Sequence, residues 1–209
     1  LLRVSIPYRI YGGLRFYERL EIKNAIAYLR IIFNNNDNPS FERSISNPTR
    51  GVGEKTLAKI RQAAKKFNIS YIKASAKLID EGSISGRGGS GLRDYLEFVA
   101  GCKSFIEENT LSDLMELIIK ETGLYAYHAK EAGEKGKTRT ENLEELISAT
   151  KNFEQSTRED KTNIEIAESY LDIISLDSGD RQAEEHDDAA QLMTMHSAKG
   201  LEFKLVLLT

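Results

Sequence analysis

Apolar residues recur every three or four positions over most of the 209-residue chain, and this helical period restricts the fold more than any other feature. From about residue 40 to 178 the spacing is broken only at Gly, Asn or Ser. Strand-like segments occur only outside that range, at 9–11 and in "QLMTM" and "FKLVLLT". The pattern predicts a mainly α fold, in which a multi-helix domain is inserted into an α/β domain and flanked by its short strands and one helix.

The same pattern predicts three parts. Residues 1–36 are the N-terminal edge of the α/β domain, with a strand, the Gly12-Gly13 turn and a helix. Residues 37–178 are the helical insertion, and residues 179–209 are an acidic connector followed by the C-terminal edge. Because the chain begins without Met and stops in a strand-like segment, we expect it to be a piece of a longer protein.

Two stretches inside the helical part are rich in Gly, Ser and charge. These are "GSISGRGGSG" (82–91) and "AGEKGKTRT" (132–140). Such compositions are typical of flexible connections, so we expect both to be surface loops.

Composition excludes several classes of function. The formal net charge of −3 gives no basic signature for the whole surface, so a nucleic-acid contact would need a local patch. Cys102 lies in a helical apolar pattern and is predicted to be a small core residue in a reducing compartment, not a nucleophile. No apolar run reaches about 18 residues, so we expect no membrane contact. We also expect a cytoplasmic location and no metal site.

"RGVGEKT" (50–56) looks at first like a phosphate loop for ATP. The Walker pattern needs Lys directly after the last Gly, but Glu54 stands between Gly53 and Lys55, and no apolar strand precedes the segment. The letters fit a helix-hairpin-helix turn better, with Val52 pointing inward and a helix start that faces a nucleic-acid backbone. The alternative is a plain turn between two helices.

The distribution of charge favours the helix-hairpin-helix interpretation over a plain turn. Between residues 43 and 73 there are eight basic residues and only Glu54 as an acid, a net charge of +7 in an acidic chain. Such a patch supplies affinity for phosphates that depends on salt and not on sequence. An acidic stretch at 154–188, with a net charge of −9, is interpreted as a solvated face or connector.

The chain resembles superfamily 1A DNA helicases of the UvrD/Rep/PcrA kind. The resemblance rests on "PYRIYGGLRFYERLEIKNAIAYLR", "NPTRGVGEKT", "GEKGKTRTENLEEL" and "QLMTMHSAKGLEF", in that order over nearly the whole chain. It implies that residues 37–178 are the helical 2B insertion of a RecA-like 2A motor domain. It further implies an ATP-dependent, Mg²⁺-requiring 3′ to 5′ helicase that acts in DNA repair or replication, with duplex and single-stranded DNA, and repair or replication proteins, as partners.

The resemblance also carries residue roles. Thr194 and His196 would approach single-stranded DNA, and Glu202 would bind the ATP ribose. Arg15 and Arg19 are the candidate phosphate contacts beside Phe16 and Tyr17, for which core packing is favoured. The residues implied to meet duplex DNA are those of the hairpin segment: Thr49, Arg50, Gly51, Val52, Gly53, Lys55 and Thr56. Asn142 and Glu145 are expected to tie a helix start to neighbouring loops.

The Walker motifs and the later arginine motif of such motors do not occur in this sequence. We therefore expect no catalytic residue in the chain, no bound cofactor, and no ATP hydrolysis by the chain alone. The rival hypothesis is a protein-docking or autoinhibitory helical module without significant DNA binding. A free-standing nucleic-acid-binding protein is a third, less favoured reading.

Overall fold

The computed structural model describes residues 8–11, 16–157, 161–175, 190–193, 203 and 205–207. These residues are mainly helical, as the periodicity predicts. The α-helices among them are α1 Leu20–Phe33, α2 Asn38–Ser46, α3 Glu54–Phe67, α4 Tyr71–Asp80, α5 Gly86–Glu108, α6 Leu111–Glu121, α7 Leu124–Ala129, α8 Glu134–Thr157 and α9 Asn163–Ser175. None of the described helices is long and apolar enough to cross a membrane.

Two short strands lie near the two ends of the chain. Strand β1 (Tyr8–Tyr11) pairs in parallel with β2 (Ala190–Met193), with Tyr8 opposite Ala190 and Tyr11 opposite Met193. The expected strand "FKLVLLT" is not found at its described residues, 203 and 205–207, which are exposed and outside regular structure. A strand needs a neighbouring strand for its backbone hydrogen bonds, and no such partner is described there.

Helix α1 is the centre of the helical part. It packs against α2, α5, α6 and α8. Ten of its 14 residues are buried, including the polar residues Glu21 and Asn24. A helix that is apolar on all sides is one surrounded by others. This segment is predicted from sequence to belong to the flanking α/β edge, yet its contacts are with the helical part.

Local capping signals set several helix ends. Thr110 and Asp113 form a capping box at the start of α6, and Thr162 and Glu165 make the same reciprocal hydrogen bonds before α9. Gly123, with φ of +80°, ends α6 in the left-handed conformation that favours glycine. The loop that joins α1 to α2 ends at Asp37, which caps α2 by accepting a hydrogen bond from the Ser40 amide.

Both expected surface loops are wrong in large part. Residues 86–91 are the first turns of α5, and residues 134–140 are the first turns of α8. Gly89 and Gly136 are buried, and a Cβ at Gly136 would lie closer than 3.0 Å to the carbonyl oxygens of Glu131 and His128. Glycine in these segments permits close packing of backbone against backbone, which composition alone does not distinguish from flexibility.

Cys102 has the predicted structural environment. It lies on the buried face of α5, where it is 1% exposed, and burial raises the pKa of its thiol to about 12. A thiol that stays protonated is a poor nucleophile, so Cys102 acts as a small apolar side chain.

Candidate nucleic-acid interface

The "RGVGEKT" segment forms a tight turn between α2 and α3. Gly51 has φ of +74°, a conformation that side chains disfavour, and Gly53 is extended at φ of −97° and ψ of 177°. Gly53 is the N-cap of α3 and has no side chain to cap it. Among the described residues, the first-turn amides of Glu54 and Lys55 donate no hydrogen bond. The turn therefore presents open N–H groups at an exposed helix start.

Arg50 faces the protein interior. Its Nη2 donates to Tyr28 Oη at 2.9 Å and to the Thr122 carbonyl oxygen at 3.1 Å. The guanidinium carbon lies 5.8 Å from the Tyr28 ring centroid and 6.0 Å from that of Tyr95. Arg50 thus ties the turn to α1, α5 and the end of α6. Its side chain would have to give up these contacts to bind a phosphate.

The other residues of the segment divide by exposure. Val52 is 8% exposed, so its side chain packs inward as predicted and only its backbone is available to a partner. Thr49, Gly51, Gly53 and Lys55 are exposed, and Thr56 is half-buried. Lys55 has no hydrogen bond or ion pair with any described residue. It is the cation of the turn that is free to meet an external anion.

Glu54, the acid that argued against phosphate binding, is paired locally with a cation that it shares with Glu42. Arg61, two turns along α3, donates to Glu54 Oε1 at 2.5 Å and to both Glu42 carboxylate oxygens at 2.6 and 2.7 Å. The hydrogen bond from Arg61 holds the pKa of Glu42 below its usual value, although burial opposes the shift. Arg61 therefore braces α2 against α3 across the turn, and it is not part of the free basic surface.

The start of α5 packs directly on the turn. A Cβ at Gly88 would lie 3.1 Å from the Gly51 carbonyl oxygen, and one at Gly51 would lie 3.0 Å from Arg87 Cγ. A Cβ at Gly91 would come closer than 3.0 Å to the Arg50 carbonyl oxygen. This packing holds the turn rigidly and was missed by sequence reasoning. The G-x-G-G-x-G spacing of residues 86–91 was its one available signal.

Arg19, expected to contact phosphate, is held by α8. Its Nη1 donates to Asn142 Oδ1 at 2.5 Å and lies 3.8 Å from Glu145 Oε2. Its guanidinium lies 5.3 Å from the Phe16 ring centroid. Asn142 Nδ2 in turn donates to the buried Glu21 at 2.6 Å. Asn142 and Glu145 thus tie the start of α1 to α8, whereas the sequence predicted ties between a helix start and neighbouring loops.

The same polar network continues into α7. Arg139 Nε lies 3.6 Å from Glu21 Oε2, and Arg139 Nη1 donates to Glu131 Oε1 at 2.5 Å. Glu131 Oε1 also lies 2.7 Å from Nδ1 of the fully buried His128. The hydrogen bond with His128, followed by that from Arg139, holds the pKa of Glu131 below its usual value. The buried His128 was not identified from the sequence.

The remaining predicted site residues, Arg15, Thr194, His196 and Glu202, lie outside the described residues. The expected ATP contact therefore has no described geometry. Across the described ranges, no group of His, Cys, Asp or Glu is arranged to hold a metal ion.

A second group of cations lies at the far end of α3. Lys65, Lys66 and Lys73 are exposed, and the Phe67 ring between α3 and α4 is 43% exposed. Lys77, one turn after Lys73 on α4, lies with Nζ 4.7 Å from the Phe67 ring centroid. The sequence patch ended at Lys73 and missed Lys77, which its four-residue spacing from Lys73 would have indicated.

Fold and site together define a mainly helical domain with a rigid glycine turn and an unneutralised basic surface. The family model of the UvrD-like helicase C-terminal domain matches residues 1–85 and 92–209. The chain therefore belongs to the UvrD-like helicase C-terminal domain family.

Named relatives agree with this family. DNA helicase II of Escherichia coli (strain K12) is 43% identical over 206 residues, which is 99% of this chain and 28% of the relative. DNA helicase II of Haemophilus influenzae is 42% identical over 207 residues, again 99% of the chain and 28% of the relative. ATP-dependent DNA helicase PcrA of Bacillus subtilis (strain 168) is 35% identical over 210 residues, covering 100% of the chain and 28% of the relative. The chain thus spans about a quarter of the length of these relatives.

Proposed function

We propose that the chain is part of an ATP-dependent 3′ to 5′ DNA helicase of the UvrD/Rep/PcrA kind. The family match and the relatives' names, DNA helicase II and ATP-dependent DNA helicase PcrA, support this proposal. ATP and Mg²⁺ would serve the whole enzyme, with Glu202 at the nucleotide. Duplex and single-stranded DNA would be its substrates, repair or replication proteins its further partners, and the cytoplasm its location.

Within that enzyme, residues 37–178 would be the helical 2B insertion that contacts duplex DNA near the fork, between the two 2A edges at 1–36 and 179–209. The packing of α1 against four helices of the insertion weighs against placing the first boundary after α1. A boundary before Leu20 would keep the central helix with the core that it completes.

The observation that carries the duplex contact is the exposed start of α3. Open amides at Glu54 and Lys55, a helix N-terminus and the free Lys55 ammonium all favour an anion at the same place. Arg61 offsets part of the opposing charge of Glu54, because the same guanidinium also pairs with Glu42. Thr49, Gly51, Gly53 and Thr56 would contribute backbone or hydroxyl contacts around a phosphate.

Arg50 and Val52 would act differently from their implied roles. Their side chains hold the turn to the core, so only their backbone atoms would face DNA. Arg19 would contact a phosphate while it remains beside Asn142 and Glu145. Arg15, Thr194 and His196 would contact single-stranded DNA in the motor domain.

The docking-module alternative drew on the acidic stretch at 154–188. In the structure, Glu154 is buried and accepts hydrogen bonds from the Ser112 amide and hydroxyl at 3.3 and 3.0 Å. Glu165 accepts a hydrogen bond from the Thr162 amide at the start of α9. Because two of its acids serve internal hydrogen bonds, the described part of this stretch presents less charge to a basic partner than its sequence suggests.

The test is duplex binding and ATP-dependent unwinding by the intact protein carrying Lys55→Glu. We expect weaker binding of a tailed duplex and slower unwinding, with the loss of affinity greatest at low salt. Lys103→Glu, an exposed lysine on α5 without a described charged partner, is the matched control. Equal affinity for Lys55→Glu and Lys103→Glu would reject the turn as the duplex contact, and an absence of ATP-dependent unwinding in the unaltered protein would reject the helicase assignment.

A further inference from the structure

Three of the exposed lysines of α3 form one stripe together with Gln62. Lys55, Lys59, Gln62 and Lys66 are exposed and spaced by four, three and four residues, so they share a face of the helix. With a rise of about 1.5 Å per residue, the stripe runs about 16 Å from the turn to Lys66. That length corresponds to about five base pairs of duplex DNA, which has an axial repeat of about 3.4 Å.

The stripe ends at what we name the Phe67 corner: Lys65, Lys66, Phe67, Lys73 and Lys77. Lys66 Nζ and Lys77 Nζ lie 5.1 and 4.7 Å from the Phe67 ring centroid, within range of cation–π attraction. The ring is 43% exposed, so it gathers two ammonium groups at the surface where they would otherwise extend apart.

The backbone at this corner is well defined. Asn68 adopts the left-handed conformation with φ of 51°, and the Ile69 amide donates to the Ala64 carbonyl oxygen at 3.1 Å. Ser70 then caps α4 by accepting from the Lys73 amide at 3.4 Å. These contacts hold the ends of α3 and α4 side by side, and their lysines with them.

Local carboxylates leave most of this charge uncompensated. Glu42 and Glu54 are engaged by Arg61, and Glu81 pairs with Lys77 at 2.6 Å. Within the described residues, Lys65 and Lys73 have no ion pair, and Lys66 contacts only the ring of Phe67. Asp80 lies at the opposite end of α4 from Lys73. The corner therefore presents a net positive charge that an external polyanion would neutralise.

We propose that the Phe67 corner is a second contact for the backbone of the same duplex that meets the Gly51–Gly53 turn, about five base pairs further along. This inference rests on the proposed duplex contact at the turn. A duplex fits better than a short acidic peptide because the stripe runs straight from the turn to the corner, as a row of phosphates does. Lysine ammonium groups bind phosphates whatever the base sequence. The corner would add affinity and salt dependence without reading bases.

The test compares Lys66→Glu/Lys73→Glu with the unaltered intact protein on tailed hairpin duplexes of about 20 and about 4 base pairs, since only the longer one spans both contacts. The hairpin loop keeps the short duplex paired. On the longer duplex we expect at least about tenfold weaker binding and a salt slope shallower by about 2, because each lost phosphate contact removes about 0.9. On the shorter duplex, variant and unaltered protein should bind alike.

The matched control is Lys103→Glu/Lys151→Glu, two exposed lysines on α5 and α8 whose reversal produces the same change in net charge. Lys55→Glu, measured alongside, separates the two proposals. If Lys55→Glu weakens binding while the corner variant behaves like the control, the corner proposal is wrong and the turn contact stands. Unchanged DNA binding together with capture of an acidic protein would equally overturn it. If the corner variant weakens binding while Lys55→Glu does not, the corner binds DNA and the turn does not.

Discussion

Two glycine-rich segments meet in this fold and use glycine for different purposes. In the turn at 50–53, Gly51 supplies a positive φ and Gly53 leaves a helix start without a capping side chain. At the start of α5, Gly88 and Gly91 are helical and leave room for the backbone of that turn. One segment leaves an exposed helix start open, and the other packs against it from within the fold.

Two cations of the 50–56 segment also differ in their surroundings. Arg50 belongs to the turn by sequence but to the core by contact, since it bonds Tyr28 and the Thr122 carbonyl group. Lys55 is free at the surface. Proximity in sequence to a binding motif therefore does not make a cation a binding residue. Its partners within the fold decide which role it has.

The largest effect is expected for Gly91→Ala. The added methyl group would overlap the Arg50 carbonyl oxygen, so the turn and α5 would have to separate. We expect a loss of about 3 kcal/mol in the free energy of unfolding, measured by denaturant titration.

Gly101→Ala is the control for that substitution, because it lies in the same helix with open space around the new methyl group. It should stabilise the protein by about 0.5–1 kcal/mol, because alanine has the higher helix propensity. If Gly91→Ala were as stable as Gly101→Ala, α5 would not be the support of the turn.

The second prediction separates Arg50 from Lys55. Arg50→Met keeps an apolar stem but leaves the Thr122 carbonyl oxygen and the buried Tyr28 hydroxyl without their charged donor. We expect a loss of about 2–3 kcal/mol. Lys55→Met, at an exposed position without described partners, should change stability by no more than about 0.5 kcal/mol.

Measurements of DNA affinity complete this pair. Lys55→Met should weaken duplex binding although its stability is unchanged. Arg50→Met should instead show its main effect as a loss of stability. Similar unfolding curves for the two variants would contradict the assignment of Arg50 to the core.

The sequence was sufficient for the helical class, the capping boxes and the inward direction of Val52, because each depends on local spacing or local hydrogen bonds. It was insufficient for the segments at 82–91 and 132–140, whose glycines pack against backbone from elsewhere in the chain. It also gave no sign of the internal partners of Arg50 and Arg19, because Thr122 and Asn142 are distant in sequence. Residues that act through long-range contacts are those that a pattern cannot assign.

The third prediction concerns the brace that Arg61 forms across the turn between α2 and α3. The pKa of Glu42 is lowered in the folded protein by the hydrogen bond from Arg61, so its contribution to stability is present above its unfolded pKa. That contribution is lost as the pH falls below about 4.5 and through the lower folded value. Glu42→Gln should therefore reduce stability at neutral pH and flatten the decline of the melting temperature in acid.

Glu97→Gln, at an exposed position on α5 without a described ion pair, is the control. The difference between the two melting curves should shrink as the pH decreases. A difference that stays constant over the same interval would mean that the Glu42 charge does not brace the turn.

The smallest effect on stability, and the sharpest for function, is expected for Gly53→Ser. The backbone of Gly53 is already extended, and a Cβ there would meet no atom within 4 Å, so serine fits without strain. As the N-cap of α3, its hydroxyl would accept from a first-turn amide and stabilise the fold by a few tenths of a kcal/mol. The same hydroxyl would occupy an amide proposed for the DNA phosphate, so duplex affinity should decrease severalfold. Gly101→Ser, which also adds a hydroxymethyl group at an open position, should leave DNA binding unchanged. A Gly53→Ser protein that is more stable and binds duplex DNA as well as Gly101→Ser would show that the open amides of α3 are not the phosphate contact.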